Sequence, residues 1–211
     1  MGPAVLDGLP VPKRCRPTDL RPDAVIIDTR PWDRFCAGHL PGSLSIVLNK
    51  SFSTVAGAYI KPTQNIVLVA EPGLVDAAVR MLVRVGLDRV GHWIPPELVE
   101  HAPKLRTADE IDVKQLASQR DPLVLDVRNA WEFEAGHIPG AVNVTYLQLP
   151  ERLKEVPAGS HLYVNCRSGF RSARAVAYLN EHGYLATNIG GGFLAWEAGG
   201  YPVVREEKAN R

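Results

Sequence analysis

Cys166 opens a run, Cys166-Arg167-Ser168-Gly169-Phe170-Arg171, whose residue types and spacing could do chemistry. The apolar stretch before it, from His161 to Asn165, reads as a strand. Ser172-Ala173-Arg174 after it reads as the start of a helix. A cysteine at that junction meets loop amides and the positive end of a helix dipole, and two arginines add their charge. Such surroundings favour a thiolate over a thiol. Ser168, Gly169 and Phe170 can turn their N–H groups inward as a nest for an anion. A cysteine that merely fills a core has no use for two arginines and a glycine in a tight loop.

The length of the loop narrows the chemistry. Cys166 and Arg171 are separated by four residues, a C-x4-R spacing. Cysteine-dependent phosphatases wrap a tetrahedral phosphate in a wider C-x5-R cradle, so phosphatase and arsenate reductase readings are disfavoured. A smaller ring suits one bound sulfur atom, which points to a persulfide whose outer sulfur is held by amide donors and arginine charge.

The elements that must position this loop occur twice. Ala24-Val25-Ile26-Ile27 reads as a buried strand ending at Asp28, and Asp28 to Gly42 then repeats at a separation of 98 as Asp126 to Gly140. Asp28, Arg30, Phe35, Ala37, Gly38, His39, Pro41 and Gly42 all recur, eight identities in fifteen positions. Each copy alternates strand and helix, which predicts an α/β fold of two modules, each a mostly parallel sheet flanked by helices on both faces. Strands are expected at 44–48 and 65–70, and a helix over Leu74–Val85 closed by Gly86. The helix after Cys166 turns Ala173, Val176, Ala177 and Leu179 to the sheet and ends at Gly183. Open parallel sheets bind ligands beyond the carboxyl ends of their strands, which is where Cys166 stands. The division reads as a Pro-rich lead-in at 1–18, a first module at 19–104 and a second at 105–211.

The first copy lacks the nucleophile. Ala70 stands where Cys166 stands, and Glu71 puts a negative charge at the Arg167 position. Its loop reads as about one residue shorter than the Cys166 loop. Gly38-His39 and Gly136-His137 occur in both copies, so these histidines read as turn fasteners that bond a neighbouring backbone group. Arg128 and Glu132, four apart, read as a helix-face salt bridge that Arg34 denies the first copy.

Asp126-Val127-Arg128, Gly136-His137-Ile138-Pro139-Gly140-Ala141, the Cys166–Arg171 loop, Gly190-Gly191-Gly192-Phe193-Leu194-Ala195-Trp196 and Gly200-Tyr201-Pro202-Val203 together resemble the rhodanese (sulfurtransferase) family. The resemblance implies that Cys166 takes sulfane sulfur from a donor and passes it to an acceptor. It implies that Arg167, Ser168, Gly169, Phe170 and Arg171 bind donor and persulfide, and that the first module is non-catalytic. The expected activity is sulfur transfer from thiosulfate or a low-molecular-weight persulfide to a thiol or cyanide. The alternative is a persulfide carrier or docking module without turnover. An inactive module followed by an active one is also similar to the C-terminal part of fusions with a metallo-β-lactamase-fold persulfide dioxygenase. The implied partner is such a dioxygenase; the chain either works alone or with such a partner, or, opening at Met1-Gly2-Pro3, is a fragment of such a fusion.

Composition sets the remaining expectations. The 211 residues are 45% hydrophobic and 22% charged with a net charge of +1, so nothing global argues for nucleic acid or a membrane surface. The N-terminus lacks the layout of a signal peptide. Three irregularly spaced cysteines make no disulfide framework, which points to the reducing cytoplasm. Without C-x2-C or His-x-His spacing no metal site is expected, and no cofactor is required. Cys15 and Cys36 are weaker candidates for a sulfur relay.

Overall fold

The protein is described from a computed structural model covering residues 8–205; residues 1–7 of the lead-in and 206–211 lie outside the described residues. The chain divides into two compact units, Met1–Thr107 and Ala108–Arg211. The first contains β1 (Lys13–Arg14), β2 (Val25–Asp28), α1 (Trp32–Ala37), β3 (Ser43–Ser45), α2 (Phe52–Tyr59), β4 (Ile66–Val69), α3 (Val75–Val83), β5 (Val90–Ile94) and α4 (Pro96–Glu100). The second contains β6 (Glu110–Ile111), α5 (Val113–Ala117), β7 (Leu123–Asp126), α6 (Ala130–Ala135), β8 (Val142–Asn143), β9 (Leu162–Asn165), α7 (Phe170–Glu181), β10 (Ala186–Ile189) and α8 (Gly192–Ala198).

The two sheets have the orders β1-β5-β4-β2-β3 and β6-β10-β9-β7-β8, the same path walked twice, and every pairing is parallel. Short β-branched runs make the central strands because residues buried on both faces need no polar alternation. β4 is buried along its whole length, as its sequence Ile-Val-Leu-Val demands. Each unit has a core of its own: Ile26, Leu40, Val67, Val69, Ile94 and Val99 pack in the first, and Leu116, Val124, Ile138, Ile189, Phe193 and Trp196 in the second.

Several boundaries differ from the sequence reading. The lead-in is not separate from the first module, because Lys13 and Arg14 pair with His92 and Trp93 at the sheet edge. A two-residue edge strand is too short to show a period. Arg106 exchanges backbone hydrogen bonds with His39, which keeps residues 105–107 with the first unit rather than the second. The expected strand at 44–48 shortens to Ser43–Ser45. The first unit places a 3-10 turn, Pro72–Leu74, ahead of α3, and α3 has nine residues where α7 has twelve. The shortening therefore falls in the helix and not in the loop.

Candidate functional site

Cys166 is the first residue beyond β9, and its equivalence to Ala70 follows from sheet register. Asp126 sits opposite Asn165 on the neighbouring strand, as Asp28 sits opposite Val69. Cys166 is 1% exposed. Its Sγ accepts a hydrogen bond from the Gly169 amide at 3.2 Å and another from the Ser172 hydroxyl at 3.3 Å. Gly169, at φ +92°, makes the left-handed turn that swings its amide back to the sulfur and opens α7 one residue later. Ser172 is fully buried, and its hydroxyl also lies 3.0 Å from the Gly169 carbonyl oxygen. Sequence reasoning missed Ser172 because a serine in a first helical turn reads as ordinary.

Of the amides expected around the sulfur, only that of Gly169 reaches Sγ among the described residues. Ser168 is exposed, and the Phe170 ring is 70% exposed beside the loop. The back of the loop is pinned by the start of α8: Phe193 N–H donates to the Cys166 carbonyl at 2.7 Å and Leu194 N–H to the Arg167 carbonyl at 3.0 Å. That approach requires Gly192. A Cβ there would press into the Cys166 carbonyl oxygen and stand 2.8 Å from both the Arg167 carbonyl carbon and the Ser168 nitrogen.

The two loop arginines part company. Arg167 is exposed, and among the described residues it has no ion-pair partner. Arg171 makes a bidentate pair with Glu132 at 2.6 and 2.7 Å, with side chains 21% and 8% exposed. The hydrogen bond from Arg171, helped by the Asn129 amide, holds the Glu132 carboxyl below its ordinary 4.5. The same bond raises Arg171, and the charges of Glu132, Cys166 and Tyr146 add to it. Glu132 also closes a capping box with Asn129 at the start of α6, a pattern legible in Asn129-Ala130-Trp131-Glu132.

The expected Arg128–Glu132 salt bridge is therefore absent. Arg128 precedes α6, so helix-face spacing does not apply to it. Its guanidinium grips Asp126 at 2.7 to 2.9 Å, bonds the Gly136 carbonyl at 2.8 Å and lies 4.2 Å above the Phe193 ring. Arg30, Asp28 and the Gly38 carbonyl repeat the clasp in the first unit. The histidines are the turn fasteners expected: His137 Nδ1 donates to the Phe133 carbonyl at 2.9 Å, and His39 Nδ1 to that of Phe35 at 3.0 Å. A carbonyl only accepts, so that nitrogen carries the proton in each.

A groove of about 290 Å³ reaches the loop at Arg167; Trp131, Glu132, Phe193, Leu194 and Arg205 also line it. The corresponding loop of the first unit begins at Ala70. Ala70 is buried with its amide on the Ile94 carbonyl, and Glu71 to Leu74 are exposed. Cys15 lies in that unit, and burial first, then the Asp19 charge, push its thiol up. Among the described residues no group of three His, Cys, Asp or Glu could hold a metal ion, and no helix is long and apolar enough to cross a membrane.

The model of the Rhodanese-like domain family matches residues 18–93 and 109–199, well over half the chain. A protein named sulfurtransferase from Allochromatium vinosum is 38% identical over 95 residues, which are 44% of this chain and 89% of that protein. The thiosulfate sulfurtransferase GlpE of Pseudoalteromonas translucida is 31% identical over 85 residues, 40% of this chain and 81% of its own length. The crystal structure of a rhodanese-related protein from Thermoplasma volcanium is 33% identical, with a TM-score of 0.45, over 46% of this chain and 99% of that one.

Proposed function

The chain belongs to the rhodanese-like domain family, and on that premise we propose that its second unit is a sulfurtransferase working through a persulfide on Cys166. One observation carries the reading. The Cys166 sulfur is buried at a strand's carboxyl end and held by two donors, the Gly169 amide and the Ser172 hydroxyl, while the duplicate offers only Ala70.

The Cys166 thiolate attacks the outer sulfur of the donor. A Cys166 S–S bond forms, the donor's S–S bond breaks, and the leaving group departs with its electron pair as sulfite from thiosulfate or as a thiolate from a persulfide. Arg167 is the free cation that draws in the donor. The amides of Ser168, Gly169 and Phe170 hold the outer sulfur, and Arg171 contributes its charge from behind the Glu132 pair. A thiol or cyanide then attacks the outer sulfur and returns Cys166 as thiolate. Relatives named sulfurtransferase support this reaction class. A persulfide dioxygenase drawing on the same persulfides is the partner this reading adds.

The near-complete burial of Cys166 favours a second reading, a carrier that keeps its persulfide without turnover. One experiment separates the two. The full chain is loaded with thiosulfate or an alkyl persulfide, and mass spectrometry and thiocyanate formation with cyanide are followed beside Cys166→Ala. A transferase turns over and loses both signals in the variant. A carrier shows a cyanide-labile sulfur on Cys166 without turnover. Thiocyanate formed by Cys166→Ala at the parent rate overturns both.

A further inference from the structure

The charges of the Cys166 loop and the groove that reaches it cancel in pairs with one exception. Asp126 neutralises Arg128, Glu132 neutralises Arg171 and Glu197 neutralises Arg205. Arg167 alone of the groove's cations has no ion-pair partner among the described residues. The groove thus offers one uncompensated positive charge beside the apolar side chains of Trp131, Phe193 and Leu194, with Trp131 65% exposed and Leu194 45% exposed. Glu132 sets this balance. Its bidentate grip takes up Arg171, the loop's second cation, and places a carboxylate in the groove that any further negative charge on a donor must face.

We propose that Glu132 is a specificity-determining residue that selects donors by charge. It favours sulfane-sulfur donors with one negative charge and an organic body, the class of alkyl and aryl persulfides, over the small dianion thiosulfate. The proposal rests on the sulfurtransferase reading. With a persulfide monoanion, R–S–S⁻ and the Cys166 thiolate give Cys166–S–S⁻ and R–S⁻. One S–S bond forms as another breaks, and no outside oxidant is needed. A single free guanidinium on Arg167 matches the one charge that the donor brings and the one that its leaving group carries away. The apolar side chains match the organic body, which thiosulfate lacks.

Benzenethiosulfonate and thiosulfate isolate the effect. Both present an outer sulfur on an oxidised sulfur atom, but the first carries one charge and the second two. The full chain is charged with each, and the rate of sulfur addition to Cys166 is read by mass spectrometry. Glu132→Gln frees Arg171 and raises the thiosulfate-to-thiosulfonate ratio by roughly tenfold, the size of one unit charge removed at close range in a largely buried site that opens on a groove. Arg171→Met leaves the Glu132 carboxylate unopposed and lowers the same ratio. Glu132→Asp keeps the charge and stays near the parent. A merely structural role for the pair would move both donors together in every variant, so an unchanged ratio in Glu132→Gln and Arg171→Met overturns the selector. Failure of both donors to place sulfur on Cys166 in the parent protein overturns the sulfurtransferase reading and the selector with it.

Discussion

Replacing Ser172 with alanine removes one of the two hydrogen bonds to the Cys166 sulfur and disturbs little else. The Gly169 carbonyl, which the hydroxyl also touches, keeps the Ala173 amide at 3.0 Å, so no buried acceptor is orphaned. The stability cost should stay near that of one neutral hydrogen bond, about 1 kcal/mol. The kinetic cost is not symmetric between the two half-reactions. During charging the bond stabilises the attacking thiolate before reaction, so at a pH where Cys166 is fully ionised its loss does not slow attack. During discharge Cys166 is the leaving group, and negative charge grows on Sγ where the hydroxyl waits at 3.3 Å. A hydrogen bond to a charged acceptor is worth about 1.5–3 kcal/mol. If about half of that is realised in the transition state for thiol–disulfide exchange, discharge slows roughly 3- to 12-fold.

Single-turnover mixing of pre-charged protein with cyanide measures discharge directly, and mass spectrometry during steady turnover measures the persulfide fraction. Ser172→Ala should discharge slowly and accumulate persulfide, with charging undiminished. Slower charging with normal discharge would refute the assignment, because the hydroxyl would then be serving the attack. A loss of stability several times the single-bond figure would refute it differently, by showing Ser172 to be a packing residue.

Three further outcomes follow from the same contacts. The Glu132 carboxyl is held below 4.5 chiefly by Arg171, so its contribution to stability is full above that value and drains away as pH falls through the lower folded value. Between about pH 6 and pH 3 the parent should lose more stability in urea titrations than Glu132→Gln, and parallel losses would refute the linkage. Gly192→Ala forces a methyl group into the Cys166–Ser168 backbone and should cost more than about 3 kcal/mol. Cys166 in that protein should be readily alkylated by iodoacetamide, and an unchanged melting temperature with a protected thiol would exclude the clash. Ala70→Cys, made in a Cys166→Ala background, should take no sulfur from either donor. Glu71 follows it with the wrong charge, Pro72 has no N–H to offer, and mass spectrometry reads the outcome.

The Cys166 loop was legible because everything that announces it is contiguous: strand, Cys166, Gly169 and helix follow one another in the chain. The duplication was legible for the same reason, and sheet register bears out the pairing of Cys166 with Ala70. What failed was pairing across distance. Glu132 finds Arg171 thirty-nine residues away, and no local spacing rule connects them. Four-residue spacing joins Arg128 to Glu132 only within one helix, and α6 begins at Ala130. β10 escaped notice because Ala-Thr-Asn-Ile is fully buried yet half polar, with Asn188 bonded to Glu110 on the neighbouring strand.

The two copies sort these contacts by purpose. The clasp of Asp126, Arg128 and the Gly136 carbonyl recurs as Asp28, Arg30 and the Gly38 carbonyl in a unit with no nucleophile, so it belongs to the fold. A buried charged pair of that kind is costly to halve, which explains its retention without any appeal to chemistry. The residues around the sulfur behave differently. Where the second unit has Glu132, Asn165 and Gly192, the first has Arg34, Val69 and Pro96, the last opening its helix as Gly192 opens α8. The Asn165 side chain donates to Asp126 at 2.9 Å yet leaves its amide oxygen Oδ1 buried without a partner, a penalty that the valine at 69 does not incur. A strand built for stability alone would keep the valine. The polar cost is borne in the copy with a cysteine at the next position, so the comparison of the two copies marks Asn165, like Glu132 and Gly192, as a residue the scaffold itself does not require.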